Sequence, residues 1–362
     1  MKCCKDELLN FLKEGFKKLD AVVMPDFFLD RLINLNCAPS KFSSTVSDVA
    51  KRKGGSIDGV AQTDIRGGNA INTASALAAL GVKVTPIVCT NKLGLQLIDF
   101  HLRPYGVDTS HVKVFEKASL TTALELRTES GKINVMLRDL GTLEDFGPAH
   151  LNEDDYVLIE DADYVCLFNW AGTRKFGTEL AQFVFRRAKA KGKSKTYYDT
   201  ADPTTNREKI PELMEKVLKT RQVDVLSLNE NEAITYAATL EEVMDKEKLR
   251  FDELAVQSAR VLAKHLHARI DLHTTSFSAT VTKKDEVVVP AFKIRPLRAT
   301  GAGDAWNAGN ILGDGNALSD ECRLALANAV SACYLSDPDG VHPTRERLVK
   351  FINSKEGRLS SA

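Results

Sequence analysis

"RATGAGDAWNAGNILGDG", residues 298–315, places five glycines and two acids in a stretch whose alanine, tryptophan and isoleucine otherwise suit a helix. Glycine disfavours a helix interior, so Gly301 and Gly303 ahead of Asp304 imply a backbone with a special task. If TGAGD is a loop that opens the helix AWNAGNILG, its N–H groups turn inward with no Cβ in the way. The positive end of the helix dipole adds to them, and the loop becomes a cradle for an anion such as phosphate. Asp304 would repel that phosphate, which makes it a poor ligand for the anion. As a base it fits: it takes the proton of a hydroxyl as that oxygen attacks the phosphoryl group in the loop. From this segment alone, a glycine-rich turn with an ordinary first-turn acid is the alternative.

Two further segments bear on the choice. In "RGGNAINTASALAALG" (66–81), Gly67 and Gly68 precede Asn69 and Asn72 at another helix start, where side-chain amides can bond sugar hydroxyls. In "LSLNENEA" (226–233), Asn229 and Glu232 follow a strand. Three residues apart, they share a face of the first turn and can hold a hydrated magnesium ion beside phosphates. They can equally form a capping box.

Working outward, the apolar runs "YVCLFNW", "KTYYDT", "VDVLSLNE" and "IDLHTT" are each followed by a helical pattern. That alternation predicts an α/β protein with a doubly wound, mostly parallel sheet flanked by helices. Ligands in such sheets sit at the carboxyl ends of the strands, so Asn169, Asp199, Asn229 and His273 should gather on one edge. "TTALELRTESGKINVMLR" (121–138) alternates apolar and polar residues about the turn ESGK and predicts a hairpin with one exposed face. Residues 30–66 read as irregular; with the hairpin they are expected to form a small β-lid above the edge. "DAVVM" and "KVTPIVCT" read as strands, and Leu8, Leu12, Phe16 and Leu19 share one face of a surface helix over 6–19.

Taken together, in this order and spacing, the motifs resemble the ribokinase-like (PfkB-type) carbohydrate kinase family. Its members carry a GG-x-x-x-N segment for substrate, an N-x-x-E element for magnesium and phosphates, and a D-T-x-G-A-G-D motif for the anion hole and base. The resemblance implies a single ribokinase-like domain over 1–362, with lid segments at about 30–66 and 111–140 and a frayed tail at 355–362. It implies Asp304 as the base, with Gly301, Ala302 and Gly303 as the anion hole. Asp30, Gly68, Asn69, Asn72 and Asn169 would bind substrate, with Asp26 competing for the place of Asp30 because Pro25 stands where a glycine is usual. Asn229, Glu232, Thr275, Ser278 and Thr300 would hold the nucleotide phosphates, and Asn229 and Glu232 magnesium through water. Asp199 resembles the aspartate of the family's D-x-N segment. The implied reaction moves the γ-phosphate of ATP to a hydroxyl of a sugar or nucleoside. Alternatives are ADP as donor, or a catalytically silent sugar- or nucleotide-binding regulator. The family's lid also suggests a homodimer.

Two departures stand out. Arg298 and Ala299 replace the leading D-T, whose aspartate helps hold a monovalent cation in ribokinases. In "IDLHTTSFSATV", His273, Thr275 and Ser278 occupy the positions of the family's T-x-G-x-x-G. Trp170 and Trp306 are expected to pack in the core or beside the pocket.

Composition narrows the setting. Lysine plus arginine (49) equals aspartate plus glutamate (49), so no net charge draws the chain to nucleic acid or an anionic membrane. Seven cysteines without a CxxC pair, one of them in the apolar run YVCLF, suggest free thiols in a reducing cytoplasm. Acids interrupt the only apolar region of the first twenty residues, so neither a signal peptide nor a membrane span is expected.

Overall fold

The computed structural model describes residues 2–129, 131–240, 249–298 and 300–354. Ala299 and the tail at 355–362 lie outside the described residues. Eight strands form the main sheet in the order 286–290, 277–281, 269–273, 225–228, 195–199, 164–168, 20–24 and 83–86. The last six are mutually parallel, and at one edge 277–281 runs antiparallel to them and pairs antiparallel with 286–290. This is the doubly wound α/β arrangement expected from the alternating strands and helices.

Side-chain alternation divides the core between the two faces of the sheet. Ala21, Val23, Tyr164, Cys166 and Tyr197 pack under the helices Asn69–Ala79, Ala302–Gly315 and Asp320–Leu335. Val22, Met24, Val165, Leu167 and Leu226 face the other way, against Gly177–Ala190 and Phe251–His265. Polar residues close the central strands. Asn169 follows Phe168, Asp199 ends its strand, Asn229 follows Leu228, and His273 ends the strand Arg269–His273.

A second sheet of four strands, in the order 61–67, 28–34, 119–128 and 131–139, stands beside the main one. The 121–138 segment forms the expected hairpin, pairing Thr128 with Gly131. The irregular reading of 30–66 is corrected. Its ends are strands Phe28–Asn34 and Ala61–Gly67, joined through a helix, Pro39–Lys51. That helix buries none of its residues, and serines and a threonine separate Phe42, Val46 and Val49, although these three stand at helical spacing. The first helix also differs: it ends at Glu14, and Gly15 (φ +95°) turns the chain. Leu8 and Leu12 reach the core from that helix, whereas Phe16 and Leu19 reach it from the segment beyond. "KVTPIVCT" divides into Lys83–Pro86 in the main sheet and Cys89–Thr90, which pairs with Lys113–Val114. Among the described residues no helix is long and apolar enough to cross a membrane.

The helix Ala302–Gly315 carries a polar stripe into this apolar setting. Asp304, Asn307, Asn310 and Asp314 recur at helical spacing and face the sheet. Asn307 donates to Asp199 at 2.7 Å and accepts from the Tyr197 and Ser227 hydroxyls, both at 2.7 Å. Asn310 donates to Asp271 at 2.8 Å, and Asp271 also meets Arg269 and the buried Arg323. Asp314 closes the row with Arg269, Lys195 and the Tyr164 hydroxyl. Each polar side chain of this stripe finds a partner, as burial demands. The stripe thereby fixes how the helix is rotated about its axis, and so where Asp304 points.

Candidate active site

The turn Gly67–Gly68 delivers the chain from the four-stranded sheet into the helix Asn69–Ala79. Gly68 has φ +95°, and a Cβ there would stand 2.8 Å from the Phe27 Cα and 2.9 Å from the Asp26 carbonyl oxygen. Only glycine fits that backbone. We expect Gly68→Ala to cost about 2–3 kcal/mol, since left-handed strain adds to backbone overlap. Urea unfolding measures this, and a loss under about 0.5 kcal/mol would show that the turn gives way freely.

Asp26 lies under this turn, fully buried. Its carboxylate accepts from the Asn69 and Ala70 N–H groups at 2.9 and 2.8 Å and from the Asn169 amide at 2.8 Å. It caps a helix that has no side-chain cap of its own, and these donors occupy it. Burial pushes its pKa up, while the donors pull it back. Asp30 is differently placed. Its carboxylate folds over Gly67, where a Cβ would overlap it, and its Oδ1 is buried without a hydrogen-bond partner. Burial pushes this carboxyl up to about 6, with Thr121 and Arg138 opposing the shift.

Asn69 and Asn72 converge on Asp304. Their amides donate to Oδ1 and Oδ2 at 2.8 and 2.9 Å. Two neutral donors orient the carboxylate without supplying a countercharge. Burial, reinforced by the charges of Asp199 and Asp26, pushes Asp304 up to about 8 against the bonds from Asn72 and Asn69. A carboxylate that titrates near neutral pH suits a general base.

Asp304 stands on the first turn of its helix. Gly301, at φ +80°, is the N-cap, and no side chain caps the end. A Cβ on Gly301 would come 2.7 Å from the Tyr334 hydroxyl, and one on Gly303 3.2 Å from the His273 ring. The loop is thus held between two aromatic side chains and bare toward a cavity of about 1020 Å³. Gly301, Ala302, Gly303, Asp304 and Asn69 line one part of that cavity, and Asp199, Asn229, Glu232, His273 and Thr275 another. Phe292, Ile294, Pro296, Ala332 and Leu335 supply an apolar wall. The volume and mixed lining suit a molecule of nucleotide size.

Asn229 and Glu232 form a capping box. Glu232 N–H donates to Asn229 Oδ1 at 3.0 Å, and Glu232 accepts from the Asn229 N–H and amide at 2.9 and 2.8 Å. Glu232 still lines the cavity. Burial and the neighbouring Asp199 raise its pKa well above the usual carboxylate range. Two hard oxygen donors that repel each other fit magnesium, which takes one or two carboxylates and completes its shell with water and phosphate. Among the described residues no group of three or more metal-ligating side chains occurs, so an all-protein cage is not present there.

The remaining residues are less uniform. Thr275 lines the cavity and donates its N–H to Glu230 at 3.2 Å. Ser278 is fully buried and bonded to Asn328 at 2.8 Å, outside the lining. Thr300 directly precedes the loop. The His273 ring lies tilted against Trp306 with centroids 5.0 Å apart, its Nε2 is buried without a partner, and burial lowers its pKa. Trp306 lines the cavity and donates to Asn328, while Trp170 is buried and donates to Thr178. Arg298 donates to the backbone carbonyls of Asp337 and Pro338 at 2.6 and 3.0 Å, away from the lining. Sequence reasoning missed the partners of the polar stripe, Tyr197 and Arg323, and the contact between Tyr334 and Gly301. The spacing of Asn307 and Asn310 after Asp304 was the available signal.

The pfkB family carbohydrate kinase model matches residues 41–347, and the chain belongs to that family. Among solved structures, Arabidopsis thaliana ribokinase complexed with ribose and ATP superposes with a TM-score of 0.70 at 18% identity, over 94% of this chain and 100% of that one. A fructokinase with bound ATP from Xylella fastidiosa gives 0.69 at 16% identity, over 93% and 98%. Adenosine kinase from Sinorhizobium meliloti gives 0.67 at 18% identity, over 89% and 96%. The shared fold is that of ribokinase-like enzymes. No curated protein matches the sequence significantly.

Proposed function

We propose that the protein is a kinase that transfers the γ-phosphate of ATP to a hydroxyl of a sugar or nucleoside. The observation that carries this reading is the Asn69–Asp304–Asn72 clamp on the first turn of an uncapped helix. Asp304 takes the proton of the attacking hydroxyl, which becomes nucleophilic as its oxygen closes on the phosphorus. The Gly301–Gly303 loop and the following N–H groups stabilise charge on the transferring group. Asp30, with its free buried oxygen, orients acceptor hydroxyls. Asp199 and Glu232, with Asn229, would hold magnesium, which offsets phosphate charge when bound. The lid covers the acceptor and excludes water.

The purified chain with magnesium and either ATP or ADP, offered sugars, sugar phosphates and nucleosides, tests the reading by the mass of the product. A phosphorylated acceptor supports it, and the donor that works identifies the nucleotide. Ligand binding without turnover under any pairing would favour a silent regulator.

Asp30 adds a pH signature. Its raised pKa means that the carboxylate protonates as pH falls through about 6. Acceptor binding, read by calorimetry so that Asp304 does not enter through the chemistry, should weaken by up to about tenfold per pH unit below that point. Flat binding between pH 5 and about 7 would remove Asp30 from the acceptor contacts.

A further inference from the structure

The inner face of the lid carries a row of paired residues across its four strands. Ile65 pairs with Asp30, Asp30 with Thr121, and Thr121 with Arg138. Residues paired in this way project from the same face of a sheet, so Asp30 and Arg138 stand two strands apart on one side. Phe28, two residues before Asp30, belongs to that face too, and the Arg138 guanidinium lies 5.0 Å from its ring centroid.

Arg138 differs from the other cations around the acceptor side. Arg66 bonds His342, Arg298 bonds two backbone carbonyls, and Arg31 is paired with Asp64. Arg138 is exposed and makes neither a hydrogen bond nor an ion pair among the described residues, and its charge opposes the burial-driven rise of the Asp30 and Asp26 pKa values. Asp26 is fully occupied by N–H donors, and Asp30 keeps one oxygen unpaired. The face therefore presents an acceptor of hydrogen bonds at Asp30 and, two strands away, a planar cation that rests on the Phe28 ring with its N–H groups unpaired among the described residues. A neutral polyol would use the first and leave the second idle.

We infer that the acceptor is anionic: a sugar or polyol bearing a phosphate ester or a carboxylate. Asp30 takes its hydroxyls, Arg138 takes its anionic group, and Asp304 faces the hydroxyl that is phosphorylated. The inference rests on the kinase reading and narrows its substrate class. A guanidinium offers two parallel N–H groups to phosphate or carboxylate oxygens, which a lysine cannot match.

Matched acceptors test it: ribose, ribose 5-phosphate and ribonate, and glucose, glucose 6-phosphate and gluconate, each with magnesium and ATP or ADP. An anionic member should exceed its neutral partner in kcat/KM by on the order of 10- to 100-fold, the worth of a charge-assisted bond. Which member wins separates phosphate from carboxylate. Arg138→Ala should erase that preference mainly through KM, and Arg138→Lys should restore part of it. Equal or better use of the neutral members, or an equal loss for both classes in Arg138→Ala, overturns the inference and leaves the kinase reading intact. If nothing turns over, calorimetry with the same compounds decides separately. Arg138-dependent preference for the anions sustains the acceptor class while the kinase reading fails, and absence of preference overturns both.

Discussion

Asp304→Asn is expected to lower kcat by about a hundred- to a thousandfold while leaving the fold intact. Asparagine keeps the size of the side chain but cannot take a proton from the acceptor hydroxyl. The wild-type pH profile gives a second readout. With the carboxyl pushed up to about 8, kcat/KM should climb by about tenfold per pH unit and level off above that value, and the variant should lose this limb. The stability sign runs opposite to activity. A folded pKa raised above its ordinary 3.8 means that ionisation costs stability, increasingly as pH rises from about 4 to about 8. At pH 9 the variant, which carries no charge there, should melt at or above the wild-type temperature. Near-full activity in Asp304→Asn would remove the aspartate from the mechanism. A collapsed melting temperature would show that its clamp by Asn69 and Asn72 is chiefly structural.

Arg323→Met is expected to cost about 3–5 kcal/mol at pH 7, read as a shift of the denaturant midpoint. Arg323 is 1% exposed and serves the whole inner end of the polar stripe. Its guanidinium donates to Asp271 at 3.1 Å, to Asp320 at 2.8 Å, and to Asn310 and Thr280. Burial alone would raise the Asp271 pKa, but Arg269 and Arg323 outweigh it and hold the carboxyl well below the usual range. A lowered folded pKa contributes stability above the ordinary value of 3.8 and loses it as pH falls further, so at pH 7 this contribution is fully present. Methionine fills much of the space yet leaves Asn310 and Thr280 short of a donor and Asp271 with one cation fewer. Adding Asp271→Asn to Arg323→Met should recover part of the loss, because the stranded charge goes with it. A loss under about 1 kcal/mol would mean that water enters and replaces the guanidinium.

The local sequence was informative where one short segment carries both geometry and chemistry. In TGAGD the glycines, the helix start and the acid are adjacent, so the proposed cradle and its proposed base were legible together. The same holds for Gly67–Gly68 ahead of Asn69 and Asn72. The parallel sheet was legible because most of its buried strands appear as short apolar runs followed by a helix; Arg269–His273, expected to be followed by a helix, leads instead into the antiparallel strand Phe277–Val281. The helix Pro39–Lys51 was not legible, since the serines and threonine between Phe42, Val46 and Val49 read as loop although the three apolar residues stand at helical spacing. The pair Asn229 and Glu232 shows a further limit: the same spacing serves a capping box and a metal-facing acid, and here the capping bonds and the cavity lining coexist.

The sequence by itself determined the class of sheet and the adjacency of the glycine loop, the helix start and Asp304, because these depend on neighbours along the chain. Only the tertiary structure decided which aspartate is free. Asp26 and Asp30 are equivalent on paper, yet Asp26 is buried beneath the N–H groups of a helix start, and Asp30 retains an unpaired oxygen. It also decided the company of Asp304, brought to Asn69 and Asn72 across more than two hundred residues. The physical reason is that burial and the field of distant charges set whether a carboxylate caps, binds or takes a proton. Neither quantity exists until the chain is folded.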